Sequence, residues 1–205
     1  MPLIVVMTIV FGFLAVGRTA DSLVVSCREF GRDLSAEELA SRFGSANVTN
    51  GPVNVGEGFS EPGTVLYRDL PEQRAEFTWK DVAAKRRLKV LRIHGVKTEW
   101  RSPQGLTLGL ELSRVERLNR KPFRLLGFGW DYGGTTTNWA GGSLAQAESP
   151  DCVLWTRFLE PEETRLGPEQ LRLMRQVYGE REFSSGHPGM QISGARIRIM
   201  GLQWR

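Results

Sequence analysis

The chain has 205 residues, with 22 Arg and 5 Lys set against 23 acids, a formal net charge of +4, 24% charged and 40% hydrophobic residues. Those proportions describe a globular protein with room for one sizeable core or two small ones, and they exclude a disordered or low-complexity assembly. Arginine is spread along the whole length rather than gathered into a basic stripe, which argues against nucleic acid as a partner.

Leu3 to Val16 carries no charge and is closed by Gly17-Arg18-Thr19-Ala20-Asp21. That length suits the core of an export signal and falls short of the ~20 apolar residues that span a bilayer. Residues 1–20 therefore read as a signal peptide, with a buried N-terminal strand or helix as the competing reading because no Lys or Arg precedes the apolar run. No transmembrane anchor follows in the sequence, so the expected location is periplasmic or secreted. Cys27 and Cys152 are the two cysteines. In an exported chain an even count favours a disulfide between them. Two alternatives stand beside it: lipid attachment at Cys27, since Val24-Val25-Ser26-Cys27 is similar to a lipobox, and a pair of buried thiols. Two cysteines and two histidines, His94 and His187, leave no metal-ligand spacing, and no cofactor motif is present.

Leu34-Ser35-Ala36-Glu37-Glu38-Leu39 has the S-x-x-E spacing of a capping box, with Leu34 and Leu39 placed as a hydrophobic staple, and predicts a short helix stopping at Gly44. A Gly- and Pro-containing loop is expected through Pro62. Strands follow at Thr64–Tyr67, Arg74–Lys80, Leu88–Ile93 with a bulge after Val90, and Val96–Trp100. In the second, Ala75, Phe77 and Trp79 point to a core while Arg74, Glu76, Thr78 and Lys80 form a wet face. Leu112-Ser113-Arg114-Val115-Glu116 repeats the leucine and capping box 78 residues after Leu34, and the same offset carries Phe77-Thr78 onto Trp155-Thr156 in the strand Cys152–Phe158. Gly167-Pro168 opens a further helix with Leu171, Met174 and Tyr178 on its apolar face. A last strand alternates Ile197 and Ile199 with Arg196 and Arg198, and changes phase near Gly201. The fold class expected is α+β: antiparallel β-sheet with a few short helices, the helix-then-sheet unit occurring twice, as modules 21–100 and 101–205.

Between the second helix and the strand at Cys152 lies Gly127-Phe128-Gly129-Trp130-Asp131-Tyr132-Gly133-Gly134-Thr135-Thr136-Thr137-Asn138-Trp139. Gly133-Gly134 suits a two-residue hairpin turn. Counting outward pairs Tyr132 with Thr135, Trp130 with Thr137 and Phe128 with Trp139, gathering the aromatics on one face and Asp131 on the other. Phe128, Trp130, Asp131, Tyr132 and Trp139 are the candidate binding residues, because aromatics supply anchor area with little rotamer entropy to lose. The competing reading makes the same aromatic face a cap on the core.

With its signal-like start, its helix-and-sheet order and its Gly-Leu-Thr-Leu-Gly-Leu-Glu-Leu-Ser-Arg-Val-Glu-Arg-Leu-Asn stretch at 105–119, the chain resembles the tandem architecture of the secreted beta-lactamase-inhibitor proteins. It resembles equally the small outer-membrane-assembly lipoproteins of the SmpA type, and its Phe-Gly-Trp-Asp-Tyr-Gly-Gly stretch is similar to a family of uncharacterised exported bacterial proteins. The resemblance covers roughly residues 33–160. It implies that another envelope or extracellular protein is the partner; no inhibitory residue carries over. Enzyme chemistry has little footing. No Gly-x-Ser-x-Gly elbow exists, Ser184-Ser185-Gly186-His187-Pro188 reads as a polar turn, and Asp131 and Glu99 beside their aromatics are the only carboxylates suggesting a sugar hydrolase. The second functional class is accordingly a cell-envelope glycan-binding or glycan-cleaving protein that uses exposed Trp residues.

Overall fold

The computed structural model describes residues 23–160 and 165–205, so the expected signal segment 1–20 lies outside the described residues. The fold is α+β. Four short helices, α1 (Ala36–Phe43), α2 (Leu112–Asn119), α3 (Pro168–Arg175) and α4 (Pro188–Ile192), accompany nine strands among the described residues. The strands are β1 (Val48–Gly56), β2 (Phe59–Leu66), β3 (Ala75–Asp81), β4 (Arg86–His94), β5 (Arg124–Leu126), β6 (Thr136–Asn138), β7 (Cys152–Leu159), β8 (Glu182–Ser184) and β9 (Arg196–Trp204). Six of them form one antiparallel sheet in the order β1-β2-β3-β4-β9-β7, and a small sheet is ordered β6-β5-β8. Because β9 inserts between β4 and β7, the large sheet draws strands from both halves of the chain.

Local sequence explains several elements directly. Ser35 caps α1 by accepting from the Glu38 N–H at 3.1 Å, and the staple residues Leu34 and Leu39 are buried. Pro168 sits at the start of α3, where its missing N–H costs nothing, and Met174 turns inward. The β4 bulge falls at Lys89, one residue from where the change of phase put it. In β9 the extra residue is Arg198, not Gly201.

Other expectations are corrected. The Gly- and Pro-containing stretch before Pro62 forms β1 and the first part of β2. Val96–Trp100 is not a strand; Trp100 instead plugs the core, its ring tilted against Phe30 at 5.7 Å and donating from Nε1 to the Gln73 carbonyl oxygen. Ser113 does not cap α2, because Glu111 occupies the N-cap position and Glu116 receives the hydroxyl of Ser185. The 78-residue offset also loses register: Phe77 faces the core, whereas Trp155 lies on the opposite face of the sheet.

One core fills the space between the inner face of the large sheet and the helices. Phe77, Trp79, Leu91, Leu154, Phe158, Met200 and Leu202 project from the strands and meet Phe30, Leu39, Trp100, Val115, Phe123 and Trp139. Cys27 and Cys152 are bonded, with Cα atoms 5.9 Å apart, and tie the segment before α1 to the start of β7. That bond leaves no sulfur at Cys27 for a lipid. Among the described residues no helix is long and apolar enough to cross a membrane.

Candidate binding site on the outer face of the sheet

The aromatic segment does not pair as expected. β6 pairs with β5, matching Arg124 to Asn138 and Leu125 to Thr136, and residues 127–134 form the loop between them. Two demands override the two-residue turn. The Phe128 ring sinks fully into the core, and its backbone bonds Val177 and Gly179 rather than Trp139. Gly134, at φ 73°, lies so close to β7 that a Cβ would fall 2.1 Å from the Phe158 carbonyl oxygen. The loop therefore folds tightly, with the Gly133 N–H donating to the Trp130 carbonyl at 2.9 Å.

As a result the five candidate residues part company. Phe128 and Trp139 are buried, and Trp139 donates from Nε1 to the Leu154 carbonyl, so both serve the core. Trp130 is half-buried, donates to the Gly127 carbonyl and meets Tyr132 edge-on at 5.5 Å. Tyr132 and Asp131 are exposed. Thr136, in the strand that follows, accepts at Oγ1 from the Thr156 N–H at 2.8 Å. None of the six Trp is exposed.

The other imidazole and carboxylate candidates are also placed. His187 caps α4, its Nδ1 accepting from the Gly189 N–H, and Ser185 is spent on Phe123 and Glu116. Glu99 accepts from Gln73. His94 alone leads to a further cluster.

That cluster is on the outer face of the large sheet. Strand registers place Val65, Glu76, Arg92, Gly201 and Trp155 in one row across five strands. The expected wet face is wet only at its rim, since Glu76 and Thr78 are 2% and 4% exposed. What covers them is the end of the β1–β2 hairpin. Arg92 on β4 donates to the carbonyl oxygens of Asn54 and Val55 on β1, although strands three places apart in a flat sheet lie roughly 14 Å from one another. An arginine cannot span that, so the hairpin arm must curl over the face. Lys89 on β4 grips Glu61 on β2 at 3.0 Å in the same sense. At its tip the arm reaches the aromatic loop, where the Tyr132 hydroxyl donates to Glu57 at 2.5 Å. Farther along the same row, Gly201 permits close approach: a Cβ there would fall 2.2 Å from the Leu91 carbonyl oxygen and 3.1 Å from the Trp155 ring, which faces the Arg92 guanidinium at 6.0 Å.

Beneath the arm lies a cavity of about 190 Å³, walled by Val53, Val55 and Val90, with Glu61, Glu76, Thr78, Lys89 and Arg92 as its polar lining. Arg74 and His94 both donate to Oε1 of Glu76, at 2.6 and 3.2 Å. Burial pushes this carboxyl up, but the bonds and charges of His94 and Arg74 outweigh it and hold the group below its ordinary value. Burial also pulls the Arg92 guanidinium down from its usual range, against the pull of Glu76 and Glu61. Among the described residues four buried side-chain atoms lack a hydrogen-bond partner: Glu76 Oε2, Thr78 Oγ1, Arg92 Nε and Trp155 Nε1. All four residues are on this one face. Such atoms cost roughly 1–3 kcal/mol each when left unmet, so their concentration in one place calls for a group that meets them.

Sequence reading missed this site because nothing local announces that Glu76 is covered. The signal that was there is the alternation of Val53 and Val55 within Gly-Pro-Val-Asn-Val-Gly, inside a stretch taken for loop. No described group of three or more His, Cys, Asp or Glu is arranged to hold a metal ion. No family model matches the chain, and no match is found among the curated proteins or the solved structures.

Proposed function

We propose that the protein is an exported, non-enzymatic module that binds another envelope or extracellular protein through the outer face of its large sheet, where the β1–β2 arm meets the aromatic loop. The observation that carries this reading is the concentration of unmet buried polar atoms at Glu76, Thr78, Arg92 and Trp155. Phe59 on the arm and Tyr132 on the loop, 68% and 53% exposed, add large contact groups beside them. Export is supported by the uncharged run Leu3–Val16 together with the Cys27–Cys152 bond, a combination typical of periplasmic and secreted chains. Glycan binding is the weaker reading, because it called for exposed Trp and every Trp is buried or half-buried.

Photo-crosslinking in the producing cell tests the proposal. A cross-linking residue placed at Phe59 or Tyr132 should trap a discrete protein, while one at Leu70, also exposed but in the β2–β3 connection, should trap none. Adducts from Leu70 with none from the other two would overturn the assignment of the face.

A further inference from the structure

We infer that the cavity beneath the β1–β2 arm is a socket for a primary carboxamide, the side chain of an Asn or Gln presented by the protein partner. This deepens the binding reading above and rests on it.

Charge narrows the ligand first. Lys89 and Glu61 are bonded to each other at 3.0 Å, so their charges cancel at the wall. Glu76 is paired through Oε1 with Arg74 at 2.6 Å, outside the lining, and keeps Oε2 unmet, while the Arg92 guanidinium spends Nη1 and Nη2 on uncharged carbonyls and keeps Nε unmet. A cation entering would meet Arg92, and an anion would meet Glu76; a neutral dipole suits both. Hydrogen-bond inventory narrows it further. Glu76, ionised, offers Oε2 as an acceptor only; Arg92 Nε is a donor only; the Thr78 hydroxyl serves either way. A primary carboxamide brings an NH₂ for the carboxylate and a carbonyl oxygen for the guanidinium on one planar head. Its aliphatic stem matches the walls of Val53, Val55 and Val90. A sugar ring also carries donors and acceptors, but it docks on an aromatic face, and no aromatic side chain lines the cavity.

The test is titration of the full-length oxidised protein with acetamide, followed through the methyl resonances of Val53 and Val90. Saturable shifts are expected with acetamide, and weaker or none with acetate, methylammonium or glucose at equal concentration. Thr78→Val removes a hydroxyl that has no partner in the fold, so the variant folds as the parent does and should bind acetamide roughly three- to tenfold more weakly. Val53→Ile, which adds a methyl to the wall, should abolish the shifts. Absence of saturation, equal response to methylammonium or glucose, or an affinity unchanged by Thr78→Val each overturns the socket. Those failures leave the photo-crosslinking result untouched, so the socket and the binding face fall separately.

Discussion

Arg92 donates from Nη1 to the carbonyl oxygen of Asn54 at 2.6 Å, joining the fourth strand of the large sheet to the first across its outer face. This bond and its neighbour to Val55 hold the arm down. Arg92→Met keeps the length and apolar stem of the side chain but not the donors. The variant should lose about 1–2 kcal/mol in chemical denaturation and expose residues 54–59 to faster amide exchange and proteolysis, with β3 and β4 still protected. Unchanged exchange in the arm would show that the latch does not hold it.

Tyr132 provides a reporter on the same closure. The hydrogen bond to Glu57, then the charge of that carboxylate, raises the phenol above its ordinary value of 10.0. Glu57→Gln should bring the ultraviolet titration of Tyr132 back toward that value. Because both groups are exposed, the folding stability should scarcely change.

Trp139 and Trp130, grouped together by sequence, should separate under substitution. Trp139→Ala empties a buried site and removes the bond to Leu154, at a cost of roughly 3–5 kcal/mol. Trp130→Ala should cost distinctly less, since half-burial leaves a smaller cavity. A melt lowered equally by both would mean that the loop is as deeply structural as the strand beside it.

Glu76 sets a pH dependence with a definite sign. Its folded value lies below the ordinary 4.5, so the folded state binds the proton less readily than the unfolded chain does. The resulting stability is fully present above about pH 4.5 and drains away as pH falls through the folded value. Glu76→Gln should therefore flatten the acid limb of a stability–pH curve. At neutral pH it should cost roughly 1–3 kcal/mol, because Arg74 and His94 lose their charged acceptor.

The Cys27–Cys152 bond closes a loop of 125 residues in sequence separation. The chain-entropy argument gives about 5 kcal/mol for a loop of that order, so the Cys27→Ala, Cys152→Ala double variant should lose roughly 2–5 kcal/mol in denaturant. Insensitivity of the wild-type melt to reductant would contradict this.

What the sequence disclosed was whatever one segment decides for itself. Ser35 and Glu38 announce α1, Pro168 announces α3, and Ala75, Phe77 and Trp79 announce the inner side of β3. β1 escaped because it is an edge strand in which Pro52 faces Pro62, and neither β-branched alternation nor continuous burial is required at an edge. The aromatic loop escaped because Phe128 answers to the backbone of Val177 and Gly179, some fifty residues away, rather than to its neighbours. Glu76 escaped for a related reason. Its cover is brought by Arg92 gripping a strand two places beyond the one that Glu76 occupies, and no window along the chain contains both partners.

The position of β9 carries a consequence for assembly. Residues 196–204 complete the large sheet from its interior, between β4 and β7, so the described chain cannot form its hydrogen-bonded middle until its last strand is available. Any species halted before then holds a four-strand meander with β4 as a naked edge and β7 without a neighbour, two templates open to pairing with another molecule. The pairings that close the sheet are also far apart in sequence, as Val90 with Gln203 shows, and such contacts form slowly because the intervening chain must be ordered first. Handling of this protein before it folds therefore matters more than its finished stability suggests, and removing the final strand should yield aggregates rather than a smaller folded domain.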